Sequence, residues 1–212
     1  MKKEDIIIKK IAIAEKAVQE LLKSGDLKKL QEQMALQITN FYENKSLNRL
    51  KTAKLVYETS KEHHQNYTDY SEAVASAYYA MYYIVHAYLA AVYKTKLREN
   101  LRGVHAITQN LLIYYLVKTK KLAQHLYNEY VEALQATSAI QNLSIESFQE
   151  KAYTFAEKYD KNRDARETFT YKTTHTIEAY NAEHAITIAE EFIYTIRQLI
   201  MKNKSKAEKN NI

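Results

Sequence analysis

The side chains able to do chemistry are seven histidines, 19 tyrosines, 31 lysines and arginines, and 25 carboxylates; cysteine is absent. Without cysteine there is no disulfide, no zinc thiolate and no thiol nucleophile, a composition that suits a reducing cytoplasm. A di-iron bundle needs Glu-x-x-His on facing helices, and no histidine here follows a glutamate by three residues. His-Glu-x-x-His is also missing. The adjacent pair His63-His64 diverges by about 100° on a helix, which makes a poor chelate. No intrinsic metal site and no cofactor is expected. The two glycines, Gly25 and Gly103, stand alone, so a P-loop, a dinucleotide-binding turn or a nucleophile elbow cannot be assembled.

Two constellations remain. Residues 94–121 carry Lys94, Lys96, Arg98, Arg102, Lys118, Lys120 and Lys121 against one acid, Glu99. Lys94, Lys96, Arg98 and Arg102 are candidate phosphate contacts, whose binding would weaken with salt. The same cations also read as solvated helix ends, where positive charge meets the negative end of the helix dipole; Lys118, Lys120 and Lys121 fit that reading directly. The second constellation is Tyr78, Tyr79, Tyr82, Tyr83, Tyr88 and Tyr93 with His86 among them. These rings could stack bases or line a pocket. Equally, they could fill a core and its rim, their hydroxyls bonded to partners, with His86 a hydrogen-bonded core residue.

The elements that must position these residues are helices. The chain has no proline and two glycines among 212 residues, so the residues of tight hairpins and bulges are lacking. That excludes a β-sandwich or barrel, and the missing glycine-rich loops exclude a doubly wound α/β fold. The expected class is all-α, an up-and-down bundle. Ile7, Ile11, Ala14, Val18 and Leu21 form one stripe of period ~3.6. Ser24-Gly25-Asp26 reads as a stop and a new cap. Leu27, Leu30, Met34, Ile38 and Phe41 form a second stripe, so 1–44 reads as a helical hairpin closed by a break at Asn44-Lys45-Ser46. A third helix runs from about Leu47 to His63. Asp69 and Glu72 have capping-box spacing before the tyrosine helix. Leu97 to Tyr115 continues helically, and Leu122 to Leu134 follows, ended by a soft link from Thr137 to Leu143. Ser144 caps a helix through Tyr159, residues 160–174 are irregular, and Ala182 to Ile200 forms the last stripe. The basic tail, 202–212, has a composition that predicts disorder.

Ala73 to Tyr93 is 21 residues without a formal charge, long enough to span a bilayer. It carries Tyr82, Tyr83, His86 and Tyr88 near its middle, whereas tyrosine prefers the interface. A central bundle helix is therefore expected, with no membrane partner. The N-terminus breaks its apolar run with charges and lacks the pattern of a secretory signal.

The string from Asp69 to Tyr83, with Tyr78-Tyr79-Ala80-Met81-Tyr82 at its centre, resembles a helix of the HEPN (higher eukaryote and prokaryote nucleotide-binding) domain family. Arg102 to Ile107, Leu122 to Leu134, Arg166 to Tyr171 and Ala182 to Ile200 are similar to later parts of that domain, so the resemblance covers about residues 46–201. It implies a HEPN-like bundle over 45–201 with 1–44 as an added hairpin, often as a homodimer. It also implies RNA or a nucleotide as ligand, a toxin–antitoxin or defence-type setting, and in some members a minimal nucleotidyltransferase as partner. Active members are metal-independent ribonucleases carrying arginine, four to six residues, then histidine. There arginine can hold the phosphate while histidine moves the 2′-hydroxyl proton.

Here the motif departs from that pattern. Arg163-Asp164 has the right opening, but Thr168, Phe169 and Thr170 stand where histidine belongs. Arg166 is followed at the four-residue spacing by Tyr171, and His175 lies nine residues on. Tyrosine, with an ordinary pKa near ~10, is a poor base at neutral pH. The expectation is a nucleic-acid- or nucleotide-binding module without competent ribonuclease activity, keeping Arg163 and Arg166 as binding residues. The alternatives are a ribonuclease with an altered site built from Arg166, Tyr171 or His175, and a purely structural interaction protein.

Overall fold

The uncharged tyrosine run becomes the axis of the molecule. In the computed structural model, which describes residues 3–63, 68–141 and 179–209, it forms helix α3, Tyr70–Tyr93. Its start follows from half of the expected capping box: Asp69 Oδ1 accepts the Glu72 N–H at 3.0 Å and the Ser71 hydroxyl at 2.9 Å, whereas the Asp69 N–H donates to Ser60 and the Glu72 carboxylate accepts from Ser76. From Ala73 to Ala91 every residue except Tyr79, Tyr82 and Tyr83 is buried, as expected of an uncharged helix at the centre of a bundle. Lys94 closes α3 in a left-handed conformation, φ 51°.

Helix α1 (Lys3–Ser24) ends at Gly25, whose φ of 74° suits the reversal. Helix α2 (Glu32–Glu62) packs along α3 and also touches the last helix, α6 (Ala179–Lys209). In chain order α3 is followed by α4 (Val104–Leu112) and α5 (Gln124–Gln141), while α3 and α6 pack directly on each other. Gly103 opens α4 with φ 68°. The end of α4 widens into a π-helical turn, Ile113–Val117, in which the Lys118 N–H donates to the Ile113 carbonyl at 2.8 Å. One core joins these elements: Ala14 and Val18 of α1, Tyr78 and Met81 of α3, Leu111 of α4, Tyr130 of α5 and Phe192 and Ile196 of α6.

The all-α class is as read from the sequence, with differences in the elements. Leu27–Lys29 and Leu97, expected to be helical, lie instead in strands: β1 (Leu27–Lys29) and β2 (Thr95–Leu97) form an antiparallel ribbon pairing Leu27 with Leu97, Lys28 with Lys96 and Lys29 with Thr95. The flanking Leu30 N–H to Lys94 carbonyl (2.8 Å) and Arg98 N–H to Asp26 carbonyl (2.7 Å) extend it. Three residues are too few to show a period, so tertiary pairing decides. The break expected at Asn44-Lys45-Ser46 is absent; α2 runs straight through it, and the division at 44/45 falls inside this helix. Asparagine and serine weaken a helix only slightly, and here the buried Ser46 hydroxyl donates to the Ala80 carbonyl of α3 at 2.7 Å. α5 likewise continues past Thr137 to Gln141, and the backbone of α6 stays helical to Lys209, beyond 202 where the composition predicts disorder. The helix expected from Ser144 to Tyr159 and the irregular stretch 160–174 lie outside the described residues.

The second apolar stripe is also placed differently. α2 turns Ala35, Thr39, Ser46, Ala53, Tyr57 and Ser60 inward, while Met34, Leu36, Phe41 and Leu55 are exposed. Inward residues that, Tyr57 apart, are small let α2 approach α3 closely, and that contact outweighs the burial of four larger side chains.

Candidate functional site

Arg163, Arg166, Tyr171 and His175 lie outside the described residues. The other candidate cations are on the ribbon and the link after it. Lys94 pairs with Glu32. Lys96 pairs with Glu99 at 2.7 Å and Arg98 with Asp26 at 3.1 Å. Arg102 is exposed on the link before α4. Three of the four therefore have carboxylates beside them, and as solvent-screened surface pairs they contribute little to stability. They stay accessible to a polyanion, at the cost of displacing those carboxylates.

The tyrosines divide into two groups. At the lower end of α3, Lys121 Nζ donates to the Tyr88 hydroxyl at 3.3 Å and to the Tyr93 hydroxyl at 3.2 Å. Tyr93 also packs on Tyr115 of the π-helical turn, ring centroids 4.1 Å apart. Burial pushes the Tyr115 hydroxyl up to about 12. Lys118 pairs with Glu15 of α1 at 2.8 Å. This group ties the chain end after α4 to α3 and α1.

The other group joins α2, α3 and α4 around two histidines. His86 is buried, and its Nε2 lies 3.1 Å from the Thr108 hydroxyl oxygen. That hydroxyl donates to the Val104 carbonyl at 2.7 Å, so the Nε2–H of His86 must be the donor to Thr108. Burial, with the nearby His105 adding to it, lowers the His86 pKa to about 4; the ring is neutral near pH 7. His105, half-buried, has Nδ1 2.8 Å from the Tyr78 hydroxyl, and burial lowers its pKa as well. Tyr82 packs on both rings, 4.6 Å from His86 and 5.0 Å from His105. Burial raises the Tyr78, Tyr79 and Tyr82 hydroxyls above the ordinary tyrosine value. At neutral pH this cluster holds uncharged donors and acceptors, an arrangement for recognition rather than for proton abstraction.

Its outer edge is a seam between α2 and α3. The close contact of Ser46 with Ala80 sets the register. On one side of that contact α2 presents Phe41, Lys45 and Arg49, spaced by four, while α3 presents Tyr83 and Tyr79, also spaced by four. Lys45 Nζ sits 4.9 Å from the Phe41 ring centroid and 5.0 Å from that of Tyr83. The Arg49 guanidinium lies 5.6 Å from Tyr79. Tyr42, Tyr83 and Tyr79 follow one another at 6.0 and 6.2 Å with planes inclined by 22° and 29°. Glu72, at the end of the seam, pairs with Arg49 at 3.6 Å. The other flank of α2 is occupied by pairs to α6, Glu43 with Arg197 and Lys54 with Glu190.

Sequence reasoning singled out the α3 half of this seam and missed the α2 half. The break placed at Asn44-Lys45-Ser46 separated Phe41 from Lys45 and Arg49. An uninterrupted helix would have shown the three at i, i+4 and i+8, one face beside the tyrosines. Among the described residues no group of three or more His, Asp or Glu side chains is placed to hold a metal ion. No helix among them is long and apolar enough to cross a membrane. Compared with known proteins, the chain matches no family model, no curated sequence and no solved structure.

Proposed function

We propose that the chain is a HEPN-like module that binds a nucleic acid or nucleotide, without competent ribonuclease activity, and works in the cytoplasm within a toxin–antitoxin or defence-type system. The observation that carries this reading is the set of accessible rings beside cations along α2 and α3: Phe41, Tyr83 and Tyr79 with Lys45 and Arg49. Such rings stack on bases and such cations meet phosphates. The missing histidine at the motif position after Arg166 supports binding over cleavage. A homodimer and a minimal nucleotidyltransferase partner belong to the same proposal, on the resemblance alone.

Fluorescence anisotropy with labelled single-stranded RNA over a salt series tests it. The expected result is micromolar or tighter binding at low salt whose logarithm falls linearly with the logarithm of salt concentration. Absence of binding at low salt would refute the reading. In parallel, incubation of purified protein with RNA is expected to leave it intact. Cleavage abolished by Arg166→Ala would instead establish the ribonuclease with an altered site.

A further inference from the structure

We infer that the α2/α3 seam is a track for single-stranded nucleic acid, each half contributing rings and α2 contributing the cations between them. This rests on the nucleic-acid reading above and specifies where and in what form the ligand binds. Along the seam, aromatic and cationic groups alternate: the Phe41 ring, the Lys45 ammonium over both Phe41 and Tyr83, then the Arg49 guanidinium over Tyr79. A nucleic acid strand alternates the same two chemistries, base and phosphate.

The spacing selects the kind of strand. The two α3 rings of the track, Tyr83 and Tyr79, stand 6.2 Å apart, nearly twice the about 3.4 Å rise per nucleotide of a duplex strand. Only a strand whose bases are unstacked from one another can offer a base to ring after ring. The bases of a duplex are turned inward and meet no ring.

Access is also suited to it. Phe41 is 52% exposed and the Arg49 side chain 43%. Lys45 is exposed on a flexible stem. Both cations can lift from the rings onto phosphates, uncovering the ring faces for bases. The rings themselves are held: Tyr83 is wedged between Tyr42, Tyr79 and Tyr82, so stacking on it orders no new side chain. The neutral state of His86 and His105 behind the seam keeps the ring bed free of charges that would have to be desolvated.

The test uses the full chain, with the same labelled single-stranded RNA, a duplex of the same sequence, and ATP as a mononucleotide. Phe41→Ala and Tyr83→Ala are each expected to weaken single-strand binding about tenfold or more. Tyr83→Phe, which keeps the ring, is expected to retain it. Lys45→Gln is expected to lower the slope of log K against log salt by about 0.7. The duplex and ATP are expected to bind more weakly than the strand. Because Phe41 and Lys45 are exposed, these two variants should keep the far-ultraviolet circular dichroism and melting profile of the parent. If the wild type binds the strand and Phe41→Ala and Lys45→Gln bind it equally well, the seam is overturned while the nucleic-acid reading stands. Equal affinity for duplex or ATP also overturns the track. A wild type that binds no strand at low salt removes the reading and the seam together.

Discussion

His86 shows what a single buried side chain imposes on the whole. Its pKa is near 4 in the folded protein and about 6.5 in the unfolded chain, so the unfolded state binds the proton first as pH falls. Above about pH 6.5 the ring is neutral in both states and costs nothing. Between about 6.5 and 4 stability is lost progressively, in total about 3 kcal/mol from this ring. Denaturant midpoints measured across that range are expected to fall with pH, and His86→Asn is expected to flatten the dependence. A His86→Asn protein with an unchanged pH profile would show that other groups govern it. Thr137 makes a second case: its hydroxyl is fully buried and has no hydrogen-bond partner among the described residues. Thr137→Val keeps the shape and removes the unpaired group, so a gain of about 1 kcal/mol is expected by the same measurement.

At the scale of elements, α3 depends on a capped start. Asp69 satisfies the Glu72 N–H and orients Ser71, and the Asp69 N–H itself is held by the Ser60 hydroxyl of α2 at 2.9 Å. Asp69→Ala is expected to cost about 1 kcal/mol in thermal or chemical unfolding, with the helix content of the folded protein unchanged. The start of α3 was legible because the cap is a local interaction within four residues. The continuity of α2 was not: Asn44, Lys45 and Ser46 look like a link by local preference, and the bond from Ser46 to Ala80, 34 residues away, makes them part of a helix. The same limit hid the ribbon, whose two strands are far apart in the chain and are held by pairing with each other and by Leu27 and Leu97 in the core.

For the whole molecule the question is whether the first helix is an appendage. Ala14 and Val18 are completely buried in the same core as α3 and α6, and β1 pairs with β2 beyond α3. A chain with α1 in the shared core is expected to unfold in one transition. Val18→Ala is expected to shift a single transition by about 2 kcal/mol, seen equally by circular dichroism and tyrosine fluorescence. Two separated transitions would instead mark α1 as an independent piece. The clasp between α5 and α6, His125 with Glu191 and His184 with Glu129, each at 3.3 Å, lies on the surface and adds little to that cooperativity.

By itself the sequence determined that the protein is helical, because turn residues are missing and apolar residues recur at the helical period. It also determined that the uncharged helix with six tyrosines lies at the centre, because 21 residues without charge are stable only when enclosed. Only the tertiary structure decided which faces those helices turn to each other. Small residues of α2 win the contact with α3, and that choice sends Phe41, Lys45 and Arg49 outward to meet Tyr79 and Tyr83. The periodicity of α2 admits more than one face, and the closeness of helix approach, a property of the pair, selects among them.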